Sequence, residues 1–172
     1  MEPEDSGHRM TIHTLERKQQ LPMKPREVFP FFESPGNLAR ITPPWLNFRI
    51  LTPGPIEMKV GTVIDYTIRW MGIRVRWKTL ITSHEPPWKF VDEQIKGPYS
   101  LWHHTHQFLE IPSGTEMTDR VRYVLPGGLI GDVAHALVVR RQLNGIFDYR
   151  AEAISKLIGG SPASGQEVVA AS

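Results

Sequence analysis

Residues 129–160 read as one long amphipathic helix, and that helix constrains everything before it. Val133, Leu137, Leu143, Phe147, Ala151, Ile154 and Ile158 recur at spacings of mostly three and four, which places them on one stripe of a 3.6-residue period. Arg140, Arg141, Asp148, Arg150, Glu152 and Lys156 fall largely off the stripe, so the opposite face should meet water. A turn at Pro126, Gly127 and Gly128 precedes the helix, Asp132 suits its first turn, and Gly159 and Gly160 stop it. Gly145 costs about 1 kcal/mol relative to Ala and is expected to leave room beneath the helix. The buried stripe needs a partner surface, and that surface has to come from earlier in the chain.

What comes earlier has a period of two. Strands are expected at residues 11–21, 48–51, 61–70, 73–83, 89–95, 99–111 and 116–125, separated by Met71-Gly72, Glu85-Pro86-Pro87, Gly97-Pro98 and Pro112-Ser113-Gly114. The short connections make neighbours antiparallel. Two short helices follow the first strand, one opened by Pro25 and limited by Pro30, the other with Ser34 as N-cap and Pro35 at its first position. Residues 42–46, with paired prolines and Trp45, read as a covering loop, and with the turn at 126–130 they form a candidate cavity mouth. In the strand at 73–83, Arg74, Arg76 and Lys78 alternate with Val75, Trp77 and Thr79. The odd positions therefore point inward. Arg120 and Arg122 alternate in the same way with Asp119, Val121 and Tyr123, which puts a carboxylate inside. The class is α+β: a curved seven-stranded antiparallel sheet, two short helices after strand 1, and a long C-terminal helix.

Composition narrows the function. The 172 residues fit one domain at 11–160, with 1–10 a disordered extension and 161–172 a disordered tail. Twenty basic residues nearly balance 18 acidic ones, so no strong field favours nucleic acid, and the basic rows at Arg74, Arg76, Lys78, Arg120 and Arg122 lack interleaved aromatic platforms on their own face. With no cysteine there is no thiolate nucleophile, disulfide or thiolate metal site. No uncharged apolar run approaches the roughly 18 residues of a membrane span, and a cytoplasmic protein without membrane insertion is expected.

Several segments resemble the SRPBCC superfamily: Phe90-Val91-Asp92-Glu93-Gln94, Gly97-Pro98-Tyr99, Trp102 with His104 and His106, Gly114-Thr115, Asp119 with Tyr123, and Phe147-Asp148-Tyr149-Arg150. The resemblance covers about residues 11–160. It implies a helix-grip fold, shared by START-related domains, Bet v 1-like proteins, polyketide cyclase/dehydrase-like proteins and a class of carbon monoxide dehydrogenase subunits. It implies binding of a small hydrophobic molecule, such as a lipid, polyketide or aromatic metabolite. The alternatives it carries are a cyclase/dehydratase-like enzyme and an assembly partner of the kind found with carbon monoxide dehydrogenase.

The residues place the chemistry on two facing strands. Trp102, His104, His106 and Phe108 share one face by period two, and the aromatic ends mark it as the inner one. Strand pairing brings this row beside Asp119 and Tyr123. Phe90, Asp92 and Gln94 add a carboxylate and an amide to the same wall. The expected binding residues are therefore Tyr66, Trp77, Phe90, Asp92, Gln94, Trp102, Tyr123 and, at the mouth, Trp45. The candidate catalytic residues are His104, His106 and Asp119. Buried, the same polar groups could instead satisfy one another and pin strand register. His104-Thr105-His106 with Asp119 across offers two imidazoles and a carboxylate, but any wall carrying two histidines shows that spacing, and neither metal nor cofactor is expected. His103 lies on the outer side and is expected to be exposed. A homodimer through a free strand edge, or a protein partner, stays open.

Overall fold

The computed structural model describes residues 11–127, 133, 138–160 and 167–169; the expected extension at 1–10 lies outside them. The chain runs β1 (His13–Leu21), α1 (Pro25–Phe32), α2 (Pro35–Leu38), a single 3₁₀ turn at Pro44–Leu46, β2 (Arg49–Ile50), β3 (Val63–Trp70), β4 (Ile73–Glu85), β5 (Lys89–Lys96), β6 (Leu101–Ile111), β7 (Gly114–Val124), α3 (Arg140–Ile158) and β8 (Glu167–Val169). This is the helix-grip arrangement. All strands join one antiparallel sheet in the order β2-β3-β4-β5-β6-β7-β1-β8.

Alternation sets the two faces of the sheet. Trp77, Thr79 and Ile81 of β4 are buried while Arg74 and Arg76 are exposed, and Met117, Asp119, Val121 and Tyr123 of β7 are buried while Arg120 and Arg122 are exposed. Register shifts in the β4–β5 pairing fall between Lys78 and Thr79 and between Ile81 and Ser83. Such irregularities bend a strand and raise its twist, and the curved sheet closes round α3.

The helix grips through a regular apolar stripe. Leu143, Phe147, Ala151 and Ile154 are buried, and the first two join a core of Leu15, Trp77, Val121 and Tyr123. A second core forms where α1 packs on the other end of the sheet, through Val28, Phe29, Phe32, Phe90, Phe108 and Met117 with Ile154. Polar ties fix the helix on β1: the buried Gln19 amide donates to the Ala151 carbonyl at 2.9 Å and the Ser155 hydroxyl at 2.8 Å, and Arg17 Nη2 donates to Asn144 at 2.6 Å.

The structure corrects four expectations. Residues 161–172 are not wholly an unstructured tail, because Glu167–Val169 pairs with the outer edge of β1; two adjacent valines suit a strand, and β1 offered a free ladder. Val133 is helical but exposed, so the buried stripe does not include it; the rest of 129–137 lies outside the described residues, and residues 138–139 form a π-type turn before α3. Gly145 faces solvent and leaves no room beneath the helix. Arg150, placed off the stripe by its charge, is buried within it.

Candidate functional site

A cavity of about 170 Å³ lies between the concave face of the sheet and α3. Its walls are mostly apolar. Tyr66 and Trp77 stack at 6.0 Å with 14° between their rings, and Trp102 meets Trp77 edge-on at 5.2 Å. Phe32, Leu38 and Ile41 close the side under α1 and α2, and Leu143, Ile146 and Phe147 of α3 form the roof. Aromatic rings dominate because β3, β4 and β6 each send their alternate residues inward at the widest part of the sheet.

One wall is polar, and strand register explains it. Asp92 of β5 lies opposite His104 of β6, and His106 lies opposite Asp119 of β7. Four titratable side chains therefore meet on three adjacent strands. His104 Nε2 is 3.2 Å from Asp119 Oδ1, and His106 Nε2 is 3.1 Å from Asp92 Oδ2. His104 Nδ1 lies 3.6 Å from the same Asp92 oxygen. His106 Nδ1 comes within 2.7 Å of Asp119 Oδ1 but off the in-plane direction of an N–H, so that contact is electrostatic rather than a hydrogen bond. The two imidazoles sit 3.8 Å apart, and His106 also stacks on Phe90 at 4.1 Å.

Two residues outside the sequence expectation complete the cluster. Arg150 Nε donates to Asp119 Oδ2 at 3.1 Å, and the Thr79 hydroxyl donates to Asp92 Oδ1 at 3.2 Å. Arg150 carried a readable signal: with Leu143, Phe147 and Ile154 it completes the spacing of four, three and four that marks one helix face. Thr79 carried only its inward parity on β4.

Burial and charge compete at every group. Burial pushes the Asp119 carboxyl up, but Arg150 and then His106 outweigh it and hold it well below the usual carboxylate range. Asp92 follows the same pattern, its burial overcome by the His106 hydrogen bond and the charge of both imidazoles. Burial lowers the His104 imidazole, and neighbouring His106 lowers it further. For His106 burial again pulls down, but Asp119 and then Asp92 prevail, and the ring is held above its ordinary value. Two carboxylates thus face one guanidinium and two unlike imidazoles.

Of the expected site residues, Tyr66, Trp77, Phe90, Asp92, Trp102, His104 and His106 line the cavity. Asp119 stands one layer behind, where a 10 Å³ pocket separates it from Arg17 and Gln19. Three expected binding residues lie elsewhere. Tyr123 is fully buried in the core against Tyr99 and His13. Gln94 donates to the Tyr99 carbonyl at 2.6 Å and braces the β5–β6 turn. Trp45 is 54% exposed and meets Tyr149 edge-on at 5.4 Å, because the 3₁₀ turn swings it outward. His103 is half-buried rather than exposed, 3.7 Å from Glu93 on the outer face. No described helix is long and apolar enough to cross a membrane.

A protein-family model described as polyketide cyclase/dehydrase and lipid transport matches residues 21–145. No curated protein matches the chain. Among solved structures, a Chromobacterium violaceum protein, CV1439, aligns with a TM-score of 0.65 at 14% identity, over 86% of this chain and 99% of its own. The Thermus thermophilus protein TTHA0849 aligns at 0.59 and 17% identity, over 84% and 94%, and Ara h 8.0201 at 0.58 and 17%, over 84% and 99%. At these identities the likeness shows the fold alone.

Proposed function

The chain belongs to the polyketide cyclase/dehydrase and lipid transport family, and from that premise we propose that it binds a small, mostly apolar molecule, built on a single ring, in the cavity between sheet and helix. The observation that carries the proposal is the cavity itself: about 170 Å³, aromatic on most sides and polar on one. A site of this kind draws affinity from its walls and orientation from a few convergent donors and acceptors. Its size selects the ligand class. An apolar cavity of about 150 Å³ is enough for benzene, so one substituted ring fits as the walls stand. A long acyl chain or a fused multi-ring polyketide would have to extend through the pocket's open side.

A phenol or aryl carbonyl offers a ring for the Tyr66, Trp77 and Trp102 surfaces and an oxygen for the polar wall of Asp92, His104 and His106.

Titration with p-cresol, followed by tryptophan fluorescence, tests the reading. Trp77 and Trp102 report from the wall, and saturable quenching is expected. Ile68→Trp places a large ring into the cavity and should remove the response while the protein stays folded. Equal binding to wild type and Ile68→Trp would move the site elsewhere, and no saturable change in either would overturn the proposal. Decanoate and a four-ring aromatic should bind at least tenfold more weakly than p-cresol.

A further inference from the structure

We propose that Asp92, His104 and His106 form a binding site for a borderline divalent cation such as Zn²⁺ or Fe²⁺ at the polar end of the cavity. The inference concerns the protein's own donors and stands whether or not an organic ligand occupies the rest of the cavity.

Convergence of donor atoms is the first argument. Asp92 Oδ2 lies 3.1 Å from His106 Nε2 and 3.6 Å from His104 Nδ1, and all three donors fall within 4.8 Å of one another. Ligands about 2.0–2.2 Å from one ion lie roughly 3.0–3.5 Å apart in octahedral or tetrahedral geometry. An ion would draw the wider pair of the set in to that spacing. Two imidazoles and one carboxylate form a donor set suited to Zn²⁺ or to non-haem Fe²⁺.

The ring nitrogens turned away from the site supply the second. Metal-bound histidines present their other ring nitrogen to a carboxylate, which fixes the tautomer and the ring orientation. Here His104 does so through a hydrogen bond, its Nε2 3.2 Å from Asp119 Oδ1, while His106 Nδ1 lies 2.7 Å from the same oxygen in electrostatic contact only. Asp119 is itself anchored by Arg150, and Asp92 by Thr79. The ligands therefore have a supporting shell already built from β4, β7 and α3.

Charge and access are the third. Asp119 is paired with the buried cation Arg150, whereas half-buried Asp92 meets the two imidazoles and the Thr79 hydroxyl. A divalent ion beside Asp92 supplies a fixed positive charge of the kind that Asp119 already has. Asp92, His104 and His106 all line the cavity, so remaining coordination positions face the space where a small oxygen-bearing molecule would enter. The set differs from the one the sequence suggested, with Asp92 rather than Asp119 as the direct carboxylate ligand. Under this assignment His104 and His106 act as ligands rather than as bases.

The test loads chelator-treated, full-length protein with Co²⁺, a coloured stand-in for Zn²⁺. Binding of one equivalent is expected, with visible d–d absorption and competition by Zn²⁺. In the wild-type proton spectrum, two exchangeable imidazole N–H resonances should appear far outside the normal range, one from each histidine ligand. Asp92→Asn should weaken binding by more than the roughly 10–100-fold that loss of an outer partner costs, and Asp119→Asn by about that range. His103→Gln, on the outer face, should leave it unchanged. If a variant fails to fold, the wild-type spectrum decides alone. Absence of a one-equivalent site, absence of the two shifted resonances, or full affinity in folded Asp92→Asn would each overturn the assignment.

Discussion

The polar cluster is stabilised by complementarity rather than by any single pair, and its weakest point is the arginine. Removing one partner of a buried ion pair leaves an uncompensated charge, at a cost of about 3–5 kcal/mol. Arg150→Ala is therefore expected to lower unfolding free energy by about 3 kcal/mol or more in chemical denaturation, whereas Arg122→Ala on the exposed face should stay within about 0.5 kcal/mol. A cost for Arg150→Ala no larger than for Arg122→Ala would show that Asp119 does not depend on the guanidinium. The tyrosines give a second residue-scale expectation. Burial raises the phenols of Tyr66 and Tyr99, with the charge of Asp92 adding to Tyr66. A phenol with a raised folded value adds stability below the unfolded value of about 10 and loses it as pH rises further. Absorbance at 295 nm should thus show at least two of the four tyrosines silent at pH 11 until alkaline unfolding releases them together. At this scale much was legible beforehand. The alternation Trp102, His104, His106 and Phe108 placed both imidazoles inward, and the β6–β7 turn placed Asp119 beside them. Arg150 is the exception: its charge argues for solvent, whereas its position on the helix stripe argues for burial.

Elements hold the cluster in place through a few specific joints. Gly114 opens β7 at φ +138, and a Cβ there would run into the Leu21 backbone carbonyl. Gly114→Ala should therefore destabilise by more than about 1 kcal/mol, measurable as a lower denaturation midpoint with an unchanged slope. The Gln19 amide joins β1 to α3 by two hydrogen bonds, and Gln19→Ala, leaving the Ala151 carbonyl without that donor, should cost about 1–3 kcal/mol. If the helix were held by its apolar stripe alone, Gln19→Ala would be neutral. Strand existence and facing were readable from period two, but strand ends were not. Gly114 pairs with Ile111 instead of sitting in the turn, Tyr99 precedes β6, and β8 comes from a segment whose composition suggested no structure. Three residues carry too little pattern to be read as a strand, and only the free edge of β1 makes them one.

For the molecule as a whole, the gripped helix decides how much space the sheet encloses. Phe147 is buried at the junction of the roof and the polar wall, meeting His104 edge-on at 5.6 Å. Phe147→Ala should cost about 3–5 kcal/mol and enlarge the cavity enough for a two-ring ligand such as 2-naphthol, measurable as a gain in affinity relative to p-cresol. The fold class was legible because a period-two chain ending in one amphipathic helix has few ways to bury both. Cavity volume was not, because it depends on the β4–β5 irregularities and on ring packing that alternation does not encode. The outward swing of Trp45 was hidden for the same reason. The most direct test of the central claim is the isoleucine methyl spectrum during addition of p-cresol. Ile64, Ile68, Ile81 and Ile146 line the cavity, while Ile73 and Ile95 are exposed on the outside. Binding inside the helix grip predicts saturable shifts of the first four methyl groups with Ile73 and Ile95 unmoved; shifts confined to Ile73 and Ile95, or none at saturating ligand, would contradict it.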